Sequence, residues 1–149
     1  MTRQASCASH TLIPIIPIGK LDLHLPLYAG VSAGFPSPAD DYLEEHLDVG
    51  AYLVQNPTAT FFVRVAGDSM IGAGIHPNDI LVVDRSLPAS HNSIIVAVVN
   101  GEFTVKRLVK RDGHLALRPE NKRYAPIVIG AEDEFIVWGV VAHVLHKPQ

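Results

Sequence analysis

Two dipeptides, Asn100-Gly101 and Asp112-Gly113, constrain this chain more than any other feature. Both residue pairs tolerate positive φ, as two-residue hairpin turns require. Asn100-Gly101 joins Ile94–Val99 to Phe103–Leu108, and the Arg111-Asp112-Gly113 turn leads into Leu115-Ala116-Leu117. Each segment is rich in β-branched or aromatic residues, so the spacing predicts consecutive antiparallel strands. Further strands are predicted at Phe61–Val65, at Ile80–Val83 behind the turn sequence His76-Pro77-Asn78-Asp79, and at Phe135–Val144. At 149 residues and 48% apolar, the chain suits a single mostly-β domain with a real core. Its single cysteine, Cys7, excludes a disulfide framework and a cysteine zinc cage, and carries no role.

The first 38 residues read differently. They hold five of the eleven prolines, few charges and no sustained period, so an extended arm is expected. Ser37-Pro38-Ala39-Asp40-Asp41 then predicts one short helix ending near His46, with Ser37 as cap and Pro38 in the first turn. The arm's Leu12–Ile18 could pass for a signal-peptide core and Val31-Ser32-Ala33 for its cleavage site. Pro14, Pro17, Lys20, Asp22 and His24 argue against that. No apolar run reaches membrane-spanning length, and the cytoplasm is the expected location.

Chemistry concentrates at Gly67-Asp68-Ser69-Met70, a glycine-containing turn after a predicted strand. A serine in a turn is most often there to bond its own backbone. As a nucleophile it would need a base. Eight histidines are present, yet none sits in a recognisable triad context, there is no G-x-S-x-G elbow, and no pair forms H-E-x-x-H. His143 and His146, near the chain end, suggest no metal site. The other candidate is Lys106. Alternation puts it on one strand face with Thr104 and Leu108, opposite Val105 and Arg107. Facing inward, it would be desolvated, its pKa would fall, and its neutral amine could take the serine proton.

Three stretches together resemble the LexA/UmuD family of self-cleaving Ser/Lys proteases, the peptidase S24-like proteins. They are Gly67–Met70, Gly74-Ile75 with Asn78–Asp84, and Gly101–Leu108, and Ser69 and Lys106 stand 37 residues apart in that family's order. Pro119-Glu120-Asn121 and Gly139-Val140-Val141 are also similar, so the likeness runs over about residues 34–149. Within the family the chain looks most like the UmuD branch. Ala33-Gly34-Phe35-Pro36-Ser37-Pro38-Ala39 resembles its cleavage segment, and the proline-broken arm has no room for the helix-turn-helix of a LexA-type repressor.

The resemblance implies a LexA/signal-peptidase-like β domain, with an arm over 1–33 removed by cutting between Ala33 and Gly34. Ser69 would be the nucleophile, Lys106 the general base, and the amides of Asp68 and Ser69 the oxyanion hole. It further implies a homodimer, activation by RecA on single-stranded DNA in the SOS response, and a shortened form serving a UmuC-type translesion polymerase. No cofactor or metal is implied. The first twenty residues align with nothing in the family pattern, and Ala29-Gly30 is a second candidate scissile pair.

Three other readings compete: a LexA- or phage-repressor-type regulator, a non-catalytic interaction module of the same fold, and direct nucleic-acid binding. The last would use Lys106-Arg107, Lys110-Arg111, Arg118 and Lys122-Arg123, but the net charge of −3 opposes it. Phe61, Phe62, Phe103, Phe135 and Trp138 are expected in the core, Met70 beneath the serine turn, and Phe35 beside the cleft.

Overall fold

The computed structural model describes residues 23–28 and 43–149. Ala29, Gly30, Ala33, Gly34 and Phe35 lie outside that range, as does most of the expected arm. Two antiparallel sheets are present among the described residues. The small one pairs β1 (His24–Tyr28) with β2 (Leu43–Asp48). The large one contains β3 (Thr60–Arg64), β4 (Ile80–Asp84), β5 (Ile94–Val99), β6 (Glu102–Arg111), β7 (His114–Arg118), β8 (Ile127–Ile129) and β9 (Phe135–Leu145). Its order is β3-β4-β9-β5-β6-β7-β8, which leaves β3 and β8 at the edges.

Both hairpin expectations hold. Asn100 and Gly101 take φ of 49° and 84°, and Asp112 and Gly113 take 49° and 75°, the positive pairs of a twist-matched turn. Each turn fixes its register, Val99 opposite Glu102 and Arg111 opposite His114. The expected helix is corrected. Residues 43–46 belong to β2, paired with β1, and residues 37–42 lie outside the described range. The short helix instead is α1 (Val49–Leu53), capped by the Asp48 carboxylate, which accepts from the Ala51 amide at 3.0 Å. Strand pairing with β1 claims residues 43–46 of the expected helix, and a carboxylate cap starts a helix at Val49 instead.

The core has two parts, one on each face of the sheet. Alternation along β5 sends Val96 into a cluster with Val65, Met70, Ile75, Leu81 and Val83. It sends Ile95 and Ala97 into a second cluster with Leu108 and Leu117. With both faces covered, β5 reads as an unbroken apolar run rather than an alternating one. The pairings of β9 slip twice, against β5 between Val96 and Ala97 and against β4 between Val82 and Val83. Such bulges sharpen the local twist.

Phe61, Phe135 and Trp138 are partly buried against this core, as expected. Phe62 and Phe103 are not: they are 60% and 61% exposed. Phe103 meets Trp138 edge-on at 4.8 Å, so its ring is held at the surface rather than inserted.

Candidate functional site

Ser69 and Lys106 meet. The Lys106 Nζ lies 2.9 Å from the Ser69 Oγ, 2.8 Å from the Thr104 Oγ1 and 3.0 Å from the Val105 carbonyl oxygen. Thr104 reaches the amine because it is two residues away on the same strand face. Lys106 is only half-buried, and that burial alone lowers its pKa from the ordinary lysine value. An ammonium has three N–H groups, and the three oxygens match them. A neutral amine has two. Thr104 and Val105 then take both, and the lone pair is left for the Ser69 hydroxyl.

The Ser69 turn is held from below and from the side. Met70 is 2% exposed, inside the first core cluster, as expected. Gly67, at φ 84°, gives the turn a conformation that other residues rarely adopt. Residues 119–124 then grip the turn through its carbonyls. The Glu120 amide donates to the Ser69 carbonyl at 2.8 Å, and the Asn121 side-chain amide to the Asp68 carbonyl at 2.9 Å. The Tyr124 hydroxyl donates to the Asp68 carboxylate at 2.5 Å, a bond that raises the tyrosine pKa. The Gly72 amide returns a bond to the Glu120 carbonyl at 2.8 Å. By contrast, the amides of Asp68 and Ser69 have no acceptor among the described residues. Two neighbouring free N–H groups suit a developing oxyanion.

A further ion pair ties the turn to the strand that carries Lys106. Arg107 Nε lies 2.5 Å from Glu120 Oε1, with Arg118 on the same oxygen at 3.4 Å. The Arg107 bond, with lesser help from Arg118, lowers the Glu120 pKa. Arg107 projects from the face of β6 opposite Lys106, so one strand delivers both the amine and the brace. Sequence reading singled out Glu120 and Asn121 only as part of a familiar tripeptide, gave Arg107 only the strand face opposite Lys106 and a place among the candidate nucleic-acid contacts, and passed over Tyr124. Their partners lie 13 to 56 residues away, and no local pattern signals such pairs.

A cleft of about 510 Å³ opens over Ser69 and Lys106. Phe61–Arg64 of β3 form one wall, Phe103–Val105 of β6 another, and Val96, Met70 and Trp138 also line it. Among the described residues β3 pairs only with β4, so its other edge, beside the cleft, has no strand partner there. An extended peptide could pair there while small side chains enter the groove. Several of the basic residues are already engaged within the chain. Besides the Arg107 brace, Lys110 Nζ is bonded to the Ala89 carbonyl.

Known proteins resemble this chain along most of its length. A family model described as Peptidase S24-like matches residues 26–142. Protein MucA of Salmonella typhimurium is 50% identical over 116 residues, covering 77% of this chain and 79% of that protein. Protein ImpA of Shigella flexneri is 43% identical over 135 residues, covering 90% of this chain and 92% of that protein. LexA repressor 2 of Geobacter sulfurreducens is 39% identical over 119 residues, 78% of this chain but only 58% of the repressor. No helix among the described residues is long and apolar enough to cross a membrane. The chain belongs to the peptidase S24-like family, the self-cleaving serine peptidases related to LexA and UmuD, and is a UmuD-like member of it.

Proposed function

We propose that this chain is a self-cleaving Ser/Lys protease that cuts itself between Ala33 and Gly34. The observation that carries this reading is the 2.9 Å contact between Ser69 Oγ and a lysine nitrogen already committed to two other oxygens. Ser69 Oγ attacks the Ala33 carbonyl carbon while neutral Lys106 takes the hydroxyl proton. The amides of Asp68 and Ser69 receive the oxyanion. Lys106 then returns the proton to the Gly34 nitrogen as the peptide bond breaks. Water, deprotonated by the same amine, releases the Ala33 carboxylate from Ser69. Ala33 suits a groove narrowed by Phe103 and Trp138, and the segment around it can extend along the free edge of β3.

The arm, residues 1–33, is the substrate and residues 34–149 the product domain. Its β1 strand pairs with β2, on the far side of the scissile bond, so part of the arm stays docked beside the domain that cuts it. A tethered substrate is present at high effective concentration. Restraint therefore comes from Lys106 protonation and from arm placement, which an activator must change. RecA bound to single-stranded DNA is that activator in this reading. The cut form acts as a homodimer with a UmuC-type polymerase in translesion synthesis, in the cytoplasm. The near full-length match to ImpA supports this over a repressor, since LexA repressor 2 is matched over little more than half its length.

The test is incubation of the full chain with RecA, ATP and single-stranded DNA, each omitted in turn. Fragment 34–149 should accumulate only with all three. Equal accumulation without RecA, or in the Ser69→Ala variant, would overturn the reading.

A further inference from the structure

A second polar cluster, unused by the chemistry above, lies where the His76–Asp79 turn meets the end of β9. Asp79 is 3% exposed, yet its carboxylate serves two imidazoles. Its Oδ1 is 2.6 Å from the His146 Nδ1, and its Oδ2 is 3.7 Å from the His76 Nδ1 while accepting the His76 amide at 2.8 Å. The two rings face each other with centroids 4.7 Å apart and planes tilted by 40°. One donor atom from each of the three side chains lies within 4.8 Å of the others.

Simple salt bridging accounts poorly for this arrangement. The His76 Nδ1 stands 3.7 Å from the carboxylate, too far for a hydrogen bond, so pairing with Asp79 does not by itself hold that ring in place. Two neutral imidazoles beside one carboxylate are instead the donor set of a zinc-type site. Tetrahedral coordination needs donors about 3.4 Å apart, given bonds of roughly 2.1 Å. The buried Asp79 is fixed by the His76 amide, whereas His76 and His146 are 47% and 43% exposed. The rings can therefore close the remaining gap by turning about their side-chain bonds. Asn78, at φ 71°, shapes the turn that sets His76 and Asp79 three residues apart. A surface cleft shared by Asn78, Lys147 and the three ligands gives water access to the fourth position.

We propose that His76, Asp79 and His146 bind a divalent metal ion of the zinc type, with water completing the shell. The ion would pin the end of β9 to the turn that precedes β4, linking the C-terminal segment to the sheet that carries Ser69. The site is independent of the cleavage reading.

Calorimetric titration of the tag-free full chain with zinc chloride tests it. One ion should bind per chain, with a matching rise in Tm. His76→Ala and His146→Ala should each weaken uptake by about 10-fold or more, as disrupted metal sites do. His146→Gln keeps a donor for Asp79, and so the fold, but should lose uptake as well. His143→Ala, in β9 three residues before His146, should bind as wild type does. Circular dichroism checks that every variant is folded. Absence of uptake up to millimolar zinc, or undiminished uptake by the folded His76→Ala/His146→Gln double variant, would overturn the proposal.

Discussion

At the scale of single residues, Lys106 carries the opposing demands of folding and chemistry. Its pKa is lowered because the strand places the amine in a half-desolvated cleft. The unfolded chain therefore holds this proton more tightly than the folded one. Stability must rise with pH between the depressed folded value and the ordinary value near 10.4. Lys106→Met should accordingly be as stable as wild type or more so at neutral pH, with the difference shrinking above about pH 10. Urea denaturation at both pH values checks this. Thr104 is a positioning residue, because it takes one of the two N–H groups of the neutral amine. Thr104→Val should slow self-cleavage by about 10²-fold, the scale of a misplaced catalytic group. Its Tm should change little. Ser69 and Lys106 could be read from spacing and resemblance, and the alternation that put Thr104 beside Lys106 also held. The exposure of Phe62 and Phe103 could not be read, since an aromatic strand residue looks the same whether it fills a core or walls a groove.

Among elements, the loop over 119–124 does the least legible work. Its carbonyl and amide bonds hold the Ser69 turn, and its glutamate bridges to β6. Gly72 permits this contact, since a Cβ there would lie 2.6 Å from the Glu120 carbonyl oxygen. Gly72→Ala should cost about 1–3 kcal/mol, as overpacking does, and should slow cleavage as the turn is pushed from the loop. Thermal melts and a cleavage time course measure the two effects. Glu120 supplies a pH signature. Its folded pKa is depressed, so the stability it contributes is present above the ordinary carboxylate value and lost as pH falls through the folded one. Glu120→Gln should flatten the fall of Tm between about pH 5 and 3. The hairpins were legible because two positive-φ residues in succession have few alternatives. The strand over residues 43–46 was not legible because helix signals are local, whereas the β1–β2 pairing joins residues about twenty apart. The three-residue β8 carries too little pattern to detect.

For the whole molecule, the sheet is wrapped so that both of its faces are covered. The long bulged strand β9 lies between β4 and β5, and Gly139 keeps its path open. A Cβ at Gly139 would meet the Val83 side chain at 2.6 Å and the Asp84 carbonyl oxygen at 3.2 Å. Leu117 anchors the second core cluster with no exposed surface. Leu117→Ala should cost about 2–5 kcal/mol by equilibrium denaturation, far from the cleft and with little effect on cleavage once folded. The overall class followed from composition and turns. The encounter of Ser69 with Lys106 followed from the family resemblance and not from local pattern, because it depends on how the sheet brings β6 to the turn after β3.

In the mechanism proposed above, this cleft cuts its own chain with a serine and a neutral lysine. Intact-mass measurement tests it most directly, after incubating wild type, Ser69→Ala and Lys106→Ala near neutral pH and near about pH 10. Raising the pH removes the Lys106 proton and should replace the activator. Wild type should then split after Ala33 faster at the higher pH, while each variant is slowed at least about 10³-fold, as loss of a catalytic-unit member does. A wild-type chain that stays whole at both pH values, or a Lys106→Ala variant that splits as fast as wild type, would contradict the account.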